Sequence, residues 1–274
     1  MRLSSVLILT VLGCSNGSGK ADAGTALNEG TGGHSFADGG GTNESTGGSG
    51  GVAGSGGNTS LYVPISPSCA VKKANGTAPL IDDMEDGDID LLPNEGRDGS
   101  WWWSKDTTPD AGLSFEIATI PGGRGSSTKA AHTTGSGETD WGAVGGFNLV
   151  SSVQVDGGTY LSCPYDLSVY TGIQFWARGN NVSVRVKATM MEDYPVSFGG
   201  ICAASDPNTC FNDHGIYQTF GDAWKQFTVP FSSMTQGAGW GIITAFNPAH
   251  VQAIRFQTDG GVDFDYWIDD ISFY

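Results

Sequence analysis

The sequence predicts an all-β domain, a two-sheet antiparallel jelly-roll β-sandwich over residues 61–274, preceded by a long polar N-terminal stretch. Three observations predict it. After residue 61 no stretch holds a helical period between caps. Short runs rich in β-branched and aromatic residues appear instead, bounded by Gly, Pro, Asn and Asp. Several of these runs alternate apolar and polar residues, the pattern of antiparallel strands with one buried face.

Strands are expected near Pro79–Met84, Trp101–Lys105, Leu113–Ile120, Lys129–Thr133, Gly142–Asn148, Gly172–Arg178, Val182–Ala188, Gly215–Phe220, Lys225–Phe231, Val251–Thr258 and Phe264–Phe273. So many short strands in one domain call for two stacked sheets. In the run from Ile173 to Arg178, one face carries Ile173, Phe175 and Ala177 and the other Gln174, Trp176 and Arg178. The runs Val182–Lys187 and Ile254–Gln257 alternate in the same way. If the polar faces of these three strands share one sheet, Gln174, Trp176, Arg178, Arg185, Lys187, Arg255 and Gln257 form a solvated surface. An aromatic among hydrogen-bonding side chains there suits sugar rings, which offer an apolar face for stacking and hydroxyls for polar neighbours. Trp101-Trp102-Trp103 cannot all face the core, because successive side chains of a strand point to opposite sides.

The first residues bear on location. Arg2 supplies a positive charge, residues 3–12 are mostly apolar, and Gly13-Cys14 follows. This is the layout of a secretory signal, and its apolar run is shorter than the roughly 20 residues a membrane-spanning helix needs. Val11-Leu12-Gly13-Cys14 resembles the lipobox of bacterial lipoproteins, which implies cleavage before Cys14 and lipidation of its thiol. The expected location is the bacterial cell envelope, at the outer membrane or cell surface, with the lipid as the membrane contact. Residues 15–60 are dominated by Gly, Ser, Thr, Asn and Ala. Such a composition buries too little apolar surface to order itself, and a Gly-rich coil of that length spans roughly 35–40 Å.

The formal net charge is −16, from 29 acidic and 13 basic residues. That acidity argues against nucleic acid as a partner and suits neutral glycans or bound cations better; the domain is expected to act as a monomer. Besides Cys14 there are four cysteines, an even number that reads as disulfides in an exported domain. Cys202 and Cys210 flank a turn-rich segment and read as a local staple, leaving Cys69 to pair with Cys163.

Four segments resemble carbohydrate-binding module family 11 and the related galactose-binding-like domains. They are Leu80–Gly87, Asp140–Val144, the pair Trp224–Ser233 and Ile254–Gln257, and Phe264–Phe273. The resemblance spans nearly all of residues 79–274 and implies a jelly roll whose first and last strands are neighbours and whose concave face holds a glycan. It places Asp140 where the family has an aromatic, and Arg255 and Gln257 on the late strand of the cleft. Those differences leave β-glucan specificity unsupported.

Asp82-Asp83, Glu85-Asp86, Asp88 and Asp269-Asp270 are the densest carboxylate groups. If the terminal strands pair, these groups converge, and hard oxygen ligands at that density suit Ca²⁺. Related jelly rolls hold a structural calcium there, which implies Asp83, Glu85 and Asp269 as its ligands. His214, beside Asp213, is a candidate sugar hydrogen-bond donor. It is also the one candidate acid/base, since no nucleophile elbow, zinc helix or phosphate loop occurs. The resulting expectation is a surface-anchored, non-catalytic carbohydrate-binding domain. The alternatives are an envelope adaptor that binds a protein partner, and a glycan-degrading enzyme.

Overall fold

The computed structural model describes residues 61–69, 71–154 and 160–274. The signal segment, Cys14 and residues 15–60 lie outside the described residues. In chain order the first strands are β1 (Lys72–Lys73), β2 (Leu80–Asp82), β3 (Trp101–Lys105), β4 (Gly112–Arg124) and β5 (Ser127–Ser136). Then come β6 (Ala143–Asn148), β7 (Val153–Gln154), β8 (Tyr160–Leu161), β9 (Tyr165–Asp166) and β10 (Gly172–Gly179). The last are β11 (Val182–Met190), β12 (His214–Phe220), β13 (Lys225–Pro230), β14 (Val251–Thr258) and β15 (Phe264–Phe273).

Two antiparallel sheets face each other. The first runs β3-β6-β14-β11-β12, with β9 carrying on at the Val251 end of β14 and β1 lying parallel to β9. The second runs β13-β10-β15-β5-β4, with β2 also on β15, so the first strand expected from the sequence and the last are neighbours. Alternation sets which side chains meet between the sheets. Val182, Val184 and Val186 of β11 face Ile173, Phe175 and Ala177 of β10 across the core, all buried. Phe175 is the hub: its ring lies 5.3 Å from Phe256, 5.5 Å from Phe227 and 5.9 Å from Phe220, joining both sheets.

Of the three consecutive indoles, Trp101 is buried against Phe147 and Phe115, while its Nε1 donates to Asp82 Oδ2. Trp103 is exposed at the sheet edge, stacked 4.9 Å from Phe115. Trp102 lies on the outer face. Gly99 permits the entry into this strand, because a Cβ there would stand 1.7 Å from the Asn148 carbonyl oxygen. Arg97 is fully buried, ion-paired to Glu95 at 3.1 Å and donating to the carbonyls of Ala78 and Leu80.

Two disulfides join Cys69 to Cys163 and Cys202 to Cys210, the pairing expected from the sequence. Residues 61–63 enter the domain alongside the second of these. The amide of Val63 donates to the Ile201 carbonyl, that of Ala203 donates to Leu61, and Tyr62 bridges Cys202.

Candidate functional site

Residues paired across antiparallel strands project to the same side, so the register defines two rows on the outer face of the first sheet. One runs Tyr217, Arg185, Gln257, Val144, Ser104 from β12 to β3. The next runs Gly215, Lys187, Arg255, Gly146, Trp102. With strands about 4.8 Å apart, each row is about 19 Å long. The glycines of the second row make room for its large neighbours. A Cβ on Gly146 would come within 2.9 Å of Arg255 Cα, and one on Gly215 within 2.9 Å of Arg185 Nε.

The charged side chains here are held closely. Lys187 forms an ion pair with Asp213 and donates to Gln257 Oε1 at 2.8 Å. Burial pulls the Lys187 ammonium below its ordinary value, the Asp213 carboxylate pushes it back up, and the Arg255 and Arg185 guanidiniums pull it down again. Arg255 lies over the ring of Trp102 at 5.0 Å and that of Tyr194 at 4.0 Å, and it donates to the Tyr194 hydroxyl. Arg185 donates through Nη2 to the carbonyls of Asp213 and Thr235.

Two loops roof one end of this face. The first leaves β11 through a 3-10 turn at Met191–Asp193, presents Tyr194, and is closed by Cys202–Cys210. The second follows β13, and Gln236 ties the loops together: its amide donates to the Asn212 and Ile242 carbonyls, at 2.6 and 3.1 Å. Lys187 and Arg255 are therefore buried, whereas Arg185 and Gln257 are half-buried and Tyr217 is 51% exposed. The open part of the face is the Tyr217–Arg185–Gln257 row. Asp140 stands at its rim, exposed, next to Trp141, whose carbonyl accepts from Gln257.

Three expectations from the sequence are corrected. Trp176 and Arg178 do not share a sheet with Arg185, Arg255 and Gln257, because β10 belongs to the second sheet and β11 and β14 to the first. On the far side of the molecule they enter a ladder of rings and cations. Arg124 lies over Trp176 and Trp224, Arg178 over Trp224 and Trp267, and His132 stacks on Trp267 at 3.9 Å. His214 is also off the candidate surface. It pairs with core-facing Ala188, is buried edge-on to Phe246, and sits 3.9 Å from Asp193.

The third correction concerns the expected calcium ligands. Glu85 and Asp269 do converge, with carboxylate oxygens 3.0 and 2.7 Å from Ser127 Oγ, whose single proton they share. Their remaining capacity is met by donors. Glu85 also takes the amides of Thr128 and Lys129 and the Thr128 hydroxyl, and Asp269 Oδ2 takes Arg124 Nε at 2.8 Å. Asp83 caps its own turn by accepting from the Glu85 amide. A guanidinium in contact with Asp269 supplies the positive charge a cation would bring, so these residues do not fit Ca²⁺. Among the described residues no group of three or more His, Cys, Asp or Glu is placed to hold a metal ion. A β-bulge explains how Arg124 reaches both acids: an extra residue in β15 at Asp270, with φ 47°, puts Asp269 and Asp270 on the same side.

Sequence reasoning set Lys187 on the polar face and offered Trp102 as an outward-facing ring, but left out Tyr217, Tyr194 and Asp213 as site residues. Lys187 and Tyr217 are legible in the alternation of their strands. Tyr194 and Asp213 lie in irregular loops and carry no such signal.

No curated protein matches the chain. The chain is similar to the family 11 carbohydrate-binding module of a cellulosomal cellulase of Clostridium thermocellum, at 14% identity over 71% of this chain and 93% of that one, TM-score 0.47. It is also similar to the family 30 module of another cellulosomal cellulase of Clostridium thermocellum, at 15% identity over 64% and 90%, TM-score 0.40. Residues 94–274, which take in both sheets from β3 onward, match carbohydrate binding domain 30, and the chain belongs to that family.

Proposed function

We propose that this protein is a tethered, non-catalytic module that binds a polysaccharide on the outer face of the β3-β6-β14-β11-β12 sheet. The observation that carries the reading is the open row Tyr217–Arg185–Gln257. It sets an exposed ring beside two half-buried hydrogen-bonding side chains, the combination that grips a sugar ring by stacking and by its hydroxyls. Catalysis finds no comparable support, because Asp193, Asp213 and His214 are all buried. In this reading Cys14 carries the lipid that anchors the chain to the bacterial envelope, residues 15–60 are the spacer, and the molecule acts as a monomer.

The test is retention of the purified protein on a panel of insoluble and soluble polysaccharides, with reducing-end release measured alongside. Retention without product is expected. Failure to bind any glycan would overturn the reading in favour of a protein partner, and product release would make it an enzyme.

A further inference from the structure

The outer face of the first sheet concentrates positive charge on a protein of net charge −16. Elsewhere four bases are answered by acids, Lys72 by Asp98, Lys73 by Asp166, Arg97 by Glu95, and Arg124 by Asp269 and Asp270, while Lys105 and Lys129 donate to backbone carbonyls and Arg178 and Lys225 lie over aromatic rings. Here Arg185, Lys187 and Arg255 stand on two adjacent strands, and the carboxylate set among them, Asp213, is bound to Lys187.

Arg185 is the cation of the three that reaches the open row. Its Nη2 is fixed by two backbone carbonyls, one from each roofing loop, at 2.9 and 3.1 Å. Neutral carbonyls orient a guanidinium without cancelling its charge, and these two bonds engage one nitrogen of a planar fork with five donor hydrogens. Directly across the strand pair is Tyr217, half-exposed, its hydroxyl held by Asp259 at 3.1 Å. Two acids stand at the rim of the open row: Asp259, which accepts from the Tyr217 hydroxyl, and Asp140, which is exposed beside Trp141. Lys187 and Arg255 sit one row below, under protein, where charge is poorly screened.

We infer that the glycan bound on this face is acidic, a polysaccharide bearing uronate or similarly carboxylated sugars, with the Arg185 guanidinium meeting the carboxylate and the Tyr217 ring stacking on the sugar. This rests on the reading that the face binds glycan at all, and it reverses the neutral ligand that net charge alone suggests. A bulk negative charge repels an anion at long range, but salt screens that repulsion beyond roughly 10 Å, while a guanidinium–carboxylate contact is short-range and bidentate.

The experiment pairs each acidic polysaccharide (polygalacturonate, alginate, glucuronan) with the same polymer after its carboxyls are reduced to alcohols, and adds a set of neutral glucans. Binding of the purified protein is measured by titration calorimetry at low and moderate salt. The expected result is at least one acidic polymer bound about tenfold more tightly than its reduced form, with the advantage shrinking as salt rises. Arg185→Gln is expected to abolish the advantage. Circular dichroism establishes that this variant folds, and if it does not, the wild-type comparison decides alone. Equal or tighter binding of the reduced polymers, or binding confined to neutral glucans, overturns the acidic ligand and leaves glycan binding standing. No binding to any polymer overturns both.

Discussion

Arg255 and Tyr194 are joined twice, by a guanidinium lying 4.0 Å from the ring centroid and by a hydrogen bond from Nη1 to the hydroxyl. Trp102 closes the sandwich from the sheet side at 5.0 Å. The contact fastens the roofing loop to the strand beneath it, so the loop is part of the face and not a free flap. Arg255→Gln removes both ring contacts and the charged donor, and should lower stability by about 2 kcal/mol in urea denaturation. A loss of less than about 0.5 kcal/mol would show that the sandwich does not hold the loop.

The ladder on the second sheet leads to a contrasting expectation. Arg178 lies 5.3 Å from both Trp224 and Trp267, so Arg178→Ala should cost about 1–2 kcal/mol of stability. Because the ladder is on the opposite side of the sandwich, Trp176→Ala and Arg178→Ala should leave glycan retention unchanged. A drop in retention with unchanged folding would move the binding face to that sheet.

The two disulfides should differ in weight. Cys69–Cys163 closes a loop of sequence separation 94 and Cys202–Cys210 one of 8. Loop-closure entropy then puts the loss at about 4–5 kcal/mol for the first pair changed to Ser and about 2–3 kcal/mol for the second. Chemical denaturation of the two double variants checks the order. The second variant should in addition weaken glycan retention, since it loosens the loop that carries Tyr194 and Asp213.

Asp82 should make stability depend on pH. Burial pushes its carboxyl up to about 6, against the hydrogen bonds from the Met84 amide and the Trp101 indole, with Asp86 and Asp83 adding to the rise. A group whose folded value is raised contributes fully below its unfolded value, near 4, and loses that contribution as pH climbs through about 6. Asp82→Asn carries no charge and keeps one oxygen, so of the Met84 amide and the Trp101 indole, which bind separate carboxylate oxygens, one loses its acceptor. It should be less stable than the wild type near pH 4, and its stability relative to the wild type should rise by about 1–2 kcal/mol on going to pH 8, read from melting at the two pH values. Equal gaps at both would show that Asp82 does not ionise in this range.

The strands were legible wherever alternation ran long enough. β14 and β15 fall on Val251–Thr258 and Phe264–Phe273 as the sequence predicts, and β3 on Trp101–Lys105. Strands of two residues such as β1 and β9 are too short to show a period. Alternation tells which side of a strand is buried but not which sheet the strand joins, so the polar faces of β10 and β14 look alike in sequence and lie on opposite sides of the molecule. The carboxylates beside β2 and β15 were legible as a cluster, but the groups that bind them were not. Arg124 stands 145 residues before Asp269, in a hairpin bend that Pro121-Gly122-Gly123 announces but whose neighbour across the sheet no pattern names. His214 shows the same limit at the scale of one residue. A strand places neighbours on opposite faces, so Asp213 reaches Lys187 outside the sheet while His214 turns inward.

The entry of the chain at residues 61–63 has a mechanical meaning. Any tension arriving along the backbone from residue 60 meets the domain at the Val63–Ile201 and Leu61–Ala203 hydrogen bonds, beside the Cys202–Cys210 link. From there it passes into the loop that ends at Asp213 and the start of β12, on the flank where Arg185 and Tyr217 stand. Force applied at that end and force applied by a polymer held on the face would thus be opposed through one covalently closed loop, while the aromatic core around Phe175 lies off the line between them.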